Sequence, residues 1–221
     1  MFTTLVFTTL LLTHVASSQD TPAAIKDEIT QLPGWSSDLP SRHYAGHVSA
    51  GTATELGIKH EMFEHYYFVE SENDPVNDPL IVWTNGGPGA SSMFGLFVEL
   101  GPFYLDASSL TTKEYNSTGI PSLYRNNYAW TKKANVLIIN SPPPIGYSYC
   151  EPAGQTGGGY SCGTWNDTKT AVHNEIYLES WLQRFPQYKK NDWYLIGESY
   201  AGVYIPMLAQ KILNNPVSNI S

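Results

Sequence analysis

Trp193-Tyr194-Leu195-Ile196-Gly197-Glu198-Ser199-Tyr200-Ala201-Gly202 is the stretch on which the fold turns. Four apolar residues suited to a buried strand run straight into a small-x-Ser-x-small turn. Beyond it, Val203, Leu208 and Ile212 predict a helix lasting until Pro216. A sharp strand-to-helix turn strains the backbone at its serine and lifts the hydroxyl clear, and its flanking positions must be small to avoid the neighbouring strand and helix. Ser199 is therefore the candidate nucleophile. The fifth position is Ala201 rather than glycine, with Gly202 behind it. Read alone, the hexapeptide leaves a plain surface turn open.

A second segment, Pro79-Leu80-Ile81-Val82-Trp83, suits a buried parallel strand and continues as Thr84-Asn85-Gly86-Gly87-Pro88-Gly89-Ala90-Ser91-Ser92. Adjacent glycines after a strand let backbone N–H groups approach a ligand closely. In an α/β-hydrolase fold, one N–H from the loop after the third strand joins the N–H following the nucleophile to hold an oxyanion. On that logic Gly87 and Tyr200 are the two donors. A tight Gly-Pro turn is the plainer reading of this segment by itself.

Together these residues resemble the serine carboxypeptidase family. The resemblance rests on Trp83 to Ser92, Gly95-Leu96-Phe97-Val98-Glu99-Leu100-Gly101-Pro102, Asn126-Asn127-Tyr128-Ala129-Trp130, Ser141-Pro142-Pro143-Pro144-Ile145-Gly146-Tyr147-Ser148-Tyr149, and Gly197 to Pro206. It implies recognition of a free C-terminal carboxylate by the Asn85 side chain, the Gly86 N–H and the paired acids Glu99 and Glu198, with Trp83 supporting the cluster. Two carboxyl groups packed together cannot both ionise cheaply, so the pair should hold a proton at acidic pH and donate it to the substrate. Ala90 stands where most members have a cysteine, Thr84 replaces a common leucine, and Val203 stands where some have histidine. These departures spare the reacting groups.

A coarse pass predicts first strands at Tyr44–Val48 and Glu64–Glu70, linked through Gly51 to Gly57. Further strands follow at 79–84, at Asn135–Asn140 and at about 192–197. Between the last two, Ala171, Leu178, Trp181, Leu182 and Phe185 form the stripe of an amphipathic crossover helix, with Asn166 or Asp167 as its cap. A β-rich start followed by β-loop-α units means an α/β sheet whose ligands sit beyond the carboxyl ends of its strands. The expected architecture is the N-terminal half of an α/β-hydrolase sheet, up to the elbow and its helix.

Residues 1–18 are apolar, lack Lys and Arg, and end with Ala16 and Ser18 at the small positions of a cleavage site, which reads as a secretory signal peptide. They are too short to span a bilayer, and no other segment is long and apolar enough. Residues 19–221 then make one domain or part of one, since a complete enzyme of this family is roughly twice as long. A net charge of −8 argues against nucleic acid, which needs clustered Lys and Arg. In a secreted chain, Cys150 and Cys162 are expected to bridge and pin a glycine-rich loop. The sequons at Asn116, Asn166 and Asn219 are candidate glycosylation sites of the same pathway, ending in a vacuole, lysosome or the extracellular space. Neither a metal nor a cofactor is implied.

A serine hydroxyl needs an imidazole to take its proton and a carboxylate to orient that imidazole, and in α/β-hydrolases both follow the serine. No Asp, Glu or His follows Ser199 here; the six histidines, His14, His43, His47, His60, His65 and His173, all precede it and read as surface or packing residues. The sequence thus holds half an active site. The expectation is a fragment that is inactive and poorly stable by itself, with its fifth strand at an exposed edge. The parent activity is a serine carboxypeptidase acting on peptide C-termini, with a related acyltransferase or a non-catalytic binding module as the other readings; the oligomeric state stays open.

Overall fold

Along the chain, helix α1 (Pro22–Lys26) leads into β1 (Glu28–Ile29), β2 (His43–Glu55), β3 (Ile58–Val69) and β4 (Leu80–Thr84). A π-helical segment at Gly95–Leu100 precedes β5 (Phe103–Tyr104), α2 (Lys113–Thr118), β6 (Tyr124–Arg125), β7 (Asn135–Asn140) and β8 (Tyr149–Glu151). Last come α3 (Asp167–Arg184), β9 (Trp193–Gly197) and α4 (Ala201–Leu213). This computed structural model describes residues 20–154, 162–215 and 220. Residues 1–18, read above as a signal peptide, Asn219 and most of the glycine-rich loop lie outside the described residues.

The main sheet runs in the order β1-β2-β3-β7-β4-β9, with β8 also paired to β3. Pairing is antiparallel from β1 to β7 and becomes parallel at β7–β4 and β4–β9. β7 is buried along its whole length and β4 nearly so, as central parallel strands covered on both faces must be. Among the described residues β9 ends the sheet, and Tyr194 on it is 51% exposed.

The first hairpin departs from the sequence reading. Gly51 to Gly57 is not a loop: β2 and β3 pair from His43↔Val69 out to Glu55↔Ile58, and only Leu56 and Gly57 turn the chain, both with positive φ. That is the two-residue turn whose twist matches flanking strands. Gly51, at φ 87°, serves the bulge between Ser49 and Thr52, so the glycine marks an irregular strand rather than its end.

Alternation along the strands feeds two cores. Tyr66, Phe68, Leu137 and Ile139 face α3 and α4, whereas Tyr67, Val69, Val136 and Ile138 join Trp83, Leu96 and Leu100 on the opposite face. α3 starts where the Asn166 side chain accepts from the Lys169 N–H, which settles the choice of cap. Its stripe buries Trp181 among Phe68, Phe185 and Tyr188, with ring centroids 5.0, 4.9 and 5.9 Å away. This aromatic stack holds the crossover helix against the sheet and so sets where the elbow strand emerges. The N-terminal segment is tied down electrostatically: Arg42 bonds Asp20 and Glu28 at 2.8 Å each, and Arg184 reaches Asp27.

Candidate active site

β4 and β9 are parallel neighbours with Thr84 opposite Gly197, so the loops leaving their carboxyl ends emerge side by side. Ser199 sits between β9 and α4 with φ 56°, one of two non-glycine residues with positive φ among those described. For an L-residue that conformation is strained and persists only where the surroundings over-determine it. Here the determinants are visible. A Cβ on Gly197 would come 2.5 Å from the Thr84 carbonyl oxygen and 2.6 Å from the Ala201 Cβ, so only glycine fits. Backbone bonds from Ala201 N to Glu198 O and from Gly202 N to Ser199 O then start the helix at 2.9 and 3.0 Å. The serine is left exposed at the apex.

Against this turn packs the Gly-Gly loop. A Cβ on Gly86 would lie 2.4 Å from the Tyr200 backbone nitrogen and 2.8 Å from the Glu198 carbonyl oxygen, so the loop touches the elbow where oxyanion donors belong. Gly87 has φ 112°. Among the described residues neither the Gly87 nor the Tyr200 N–H donates to a backbone carbonyl.

Asn85 is buried and fixed at every polar atom. Its backbone N–H donates to Ser92 Oγ at 2.9 Å, and Oδ1 accepts from Trp83 Nε1 at 2.9 Å and from the Gly95 N–H at 3.1 Å. Nδ2 donates to Glu198 Oε1 at 2.8 Å. Glu99, on the π-helical segment, reaches both Glu198 and Asn85; loss of solvent around its carboxyl and then the Glu198 charge push its pKa up, against the opposing bond from Asn85. The structure therefore brings together Trp83, Asn85, Gly86, Gly87, Glu99, Glu198, Ser199 and Tyr200. An open cleft of about 800 Å³ adjoins them, walled by Pro88, Gly89, the 142–146 turn, Trp165, Asp167 and Tyr204, and Tyr200 leans into it with its hydroxyl 3.2 Å from Asp167.

This chain belongs to the serine carboxypeptidase family. The family model for serine carboxypeptidases matches residues 33–220. The lysosomal protective protein of Mus musculus is 39% identical over 211 residues, covering 96% of this chain and 39% of that protein. Serine carboxypeptidase-like 20 of Arabidopsis thaliana is 38% identical over 208 residues, covering 94% of this chain and 38% of that protein. Among solved structures, Kex1(Delta)p, a prohormone-processing carboxypeptidase from Saccharomyces cerevisiae, superposes with a TM-score of 0.66 at 28% identity, over 91% of this chain and 42% of that one. The chain spans about two fifths of the length of these relatives, and its fold is that of the N-terminal part of the family's α/β-hydrolase domain.

The other residues named from the sequence of this carboxypeptidase-family chain are placed as follows. Cys150 and Cys162 form a disulfide with a Cα–Cα distance of 5.7 Å. Asn116 is exposed in α2 and Asn166 is exposed at the start of α3. The five described histidines have partners of their own: His43 with Tyr67, His47 with the Tyr147 carbonyl, His60 with the Pro152 carbonyl, His65 with Asn140 and His173 with the Ala50 carbonyl. Among the described residues no helix is long and apolar enough to cross a membrane, and no group of three or more His, Cys, Asp or Glu could hold a metal.

Sequence reasoning missed the roles of four residues in the site's frame: Gly95, Ser91, Ser92 and Asn140. Gly95 donates its N–H to Asn85, and Ser91 and Ser92 are clipped to Asn140 at the end of β7. The two serines were in view as part of the glycine-loop motif, but their partner lies 48 residues away and carries no local signal.

Proposed function

We propose that this chain carries the nucleophile, oxyanion donors and carboxylate-recognition group of a serine carboxypeptidase whose triad Asp and His lie beyond residue 221. Attack of Ser199 Oγ on the last peptide carbonyl forms a C–O bond and moves an electron pair onto oxygen, which the Gly87 and Tyr200 N–H groups receive. Collapse breaks the C–N bond, and the departing amine takes the proton that the serine gave up. Water then cleaves the acyl-enzyme. The substrate's terminal carboxylate is gripped by Asn85 Nδ2, the Gly86 N–H and the proton shared by Glu99 and Glu198. That proton makes the reading one of mildly acidic pH, in keeping with a lysosomal relative. On this proposal residues 1–18 are a signal peptide, Asn116 and Asn166 carry glycans, and the protein works in a vacuole, lysosome or outside the cell.

The observation that carries the reading is the contact of Gly86 with the strained Ser199 turn while the neighbouring Asn85 side chain is bonded to Glu198. The test is a pair of measurements on the protein at its full natural length. Peptides with a free C-terminus should lose single residues, and both amidation of that terminus and Ser199→Ala should abolish release. Release from amidated peptides at an equal rate would overturn terminal recognition. Transfer of an acyl group to an alcohol without peptide cleavage would favour an acyltransferase.

A further inference from the structure

We propose that Asn140 is a positioning residue that holds the Gly86–Gly87 loop in register with Ser199. This rests on the proposed role of the Gly87 amide. Asn140 is the last residue of β7 and is fully buried. Its Oδ1 accepts from the Ser92 backbone N–H at 3.1 Å and from Ser91 Oγ at 2.7 Å. A backbone N–H only donates, so Oδ1 must face it, and Nδ2 is thereby turned toward His65 Nδ1 at 2.9 Å. His65 must then accept at Nδ1, which makes it the neutral tautomer with its proton on Nε2.

The bracket continues on both sides. Ser148 Oγ bonds the Asn140 carbonyl and the His65 backbone N–H, locking the turn after β7 onto β3. Gly146, at φ 59°, passes so close that a Cβ would lie 2.6 Å from Asn140 Oδ1. On the loop side, Ser92 Oγ accepts the Asn85 N–H and Ala90 N donates to the Gly86 carbonyl at 3.0 Å. The loop from 85 to 92 thus hangs from Asn140 at its far end.

Two clamps act on this loop, and they separate binding from turnover. The Asn85 side chain is fixed by Trp83 and Gly95 and Gly86 is seated against the Tyr200 and Glu198 backbone, whereas Ser91 and Ser92, which end the path from Gly87, are bonded to Asn140. Loss of Asn140 should therefore displace the Gly87 oxyanion donor more than the Asn85 side chain and the Gly86 amide, which the elbow holds from its other side.

The test uses the full-length protein and a peptide with a free C-terminus. Asn140→Ala should lower kcat by at least ~10-fold with KM held within about 3-fold, a milder loss than deleting an oxyanion donor outright. Asn140→Asp keeps an oxygen facing Ser91 and Ser92, while its second oxygen meets His65 Nδ1, so kcat should return to within about 3-fold of wild type. In that variant His65, faced by His47 of β2 and by Tyr147, should titrate well above its wild-type position, which burial and then His47 hold down to about 4. An unchanged kcat, a loss confined to KM, or an Asp variant as impaired as the Ala variant would overturn the proposal. If Asn140→Ala does not fold, Ser91→Ala, which removes one of the two bonds, should lower kcat by roughly 3-fold, and no change would count against the bracket. If the wild type cleaves no peptide, the functional reading has failed instead. The bracket is then judged by amide hydrogen exchange, which should quicken at Ser92 in the Ala variant and stay slow in the Asp variant; equal exchange in all three would overturn it.

Discussion

Asn85 donates from Nδ2 to Glu198 Oε1 over 2.8 Å, and so couples the end of β4 to the turn after β9 through side chains as well as through the parallel ladder. Its other amide atom is held by Trp83 and Gly95, so the amide plane is fixed before any ligand arrives. Asn85→Ala should therefore raise KM for peptides with a free C-terminus by about 10- to 100-fold, the loss of one charge-assisted hydrogen bond and of the order around it. Hydrolysis of an amidated or ester substrate should change less. Steady-state kinetics on matched substrates checks this, and equal losses on both would place Asn85 in the scaffold alone.

Gly86 offers a test of close approach. An added methyl group would meet the Tyr200 nitrogen at 2.4 Å, a backbone atom that cannot swing aside. Gly86→Ala should push the loop from the elbow and cut kcat/KM by at least ~100-fold, the scale of losing an oxyanion donor. Unfolding by denaturant should shift less, because the clash falls on the contact between loop and elbow and not in either hydrophobic core. A variant with near-normal kinetics would show that the loop does not work at this distance.

Much of this arrangement was legible in the sequence, for identifiable reasons. β4, β7 and β9 are short apolar runs, α3 carries a helical stripe with its cap, and the elbow needs small residues at fixed offsets; each is a local signal. The Cys150–Cys162 bridge followed from there being two cysteines in a chain read as secreted. What escaped was non-local. Gly51 was read as a strand end because a bulge and a loop both want positive φ, and only the pairing of Thr52 with Glu61 separates them. Asn140 looked like the polar end of a strand, since its function depends on β3 and the glycine loop arriving at the same point. Likewise Glu99 sits on a π-helical segment whose wider turn no propensity signals.

Glu99 sets the expected pH dependence. Its pKa is raised, first by loss of solvent and then by the Glu198 charge, so Glu99 keeps its proton to higher pH than an ordinary glutamate. Below that raised value the pair can donate to a substrate carboxylate, and as pH rises through it the donor is replaced by a repelling charge. KM for free C-termini should therefore climb as pH rises above mildly acidic values, while Glu99→Gln, which always has a donor, should flatten the climb. A wild-type KM constant from about pH 4 to pH 7 would contradict the shared proton.

Away from the site, Trp181 tests the crossover helix. It is fully buried with Phe68, Phe185, Tyr188 and Trp193 around it. Trp181→Ala should destabilise the folded protein by about 3–5 kcal/mol, the usual range for an aromatic deleted from a packed core. Chemical denaturation gives the value, and a loss below about 1 kcal/mol would mean that the stack is not what fastens α3 to the sheet.

Glu64 carries a different pH signature, in stability rather than binding. It is fully buried on β3, bonded by Ser141 Oγ, and burial pushes its pKa up to about 8 despite that bond. An acid whose folded value exceeds its unfolded one holds a proton in the native state that the unfolded chain has released. Its contribution is full below the unfolded value near 4.5 and is lost as pH rises through about 8. Stability should accordingly fall between these limits in the wild type. Glu64→Gln, which keeps the shape and cannot ionise, should show a shallower fall and be more stable near neutrality by about 1–2 kcal/mol, a typical penalty for a poorly accommodated buried polar group. Denaturation midpoints measured at pH 5 and pH 8 decide the matter: parallel pH slopes in the two proteins would mean that Glu64 is ionised in the native state across this range, as it is in the unfolded chain.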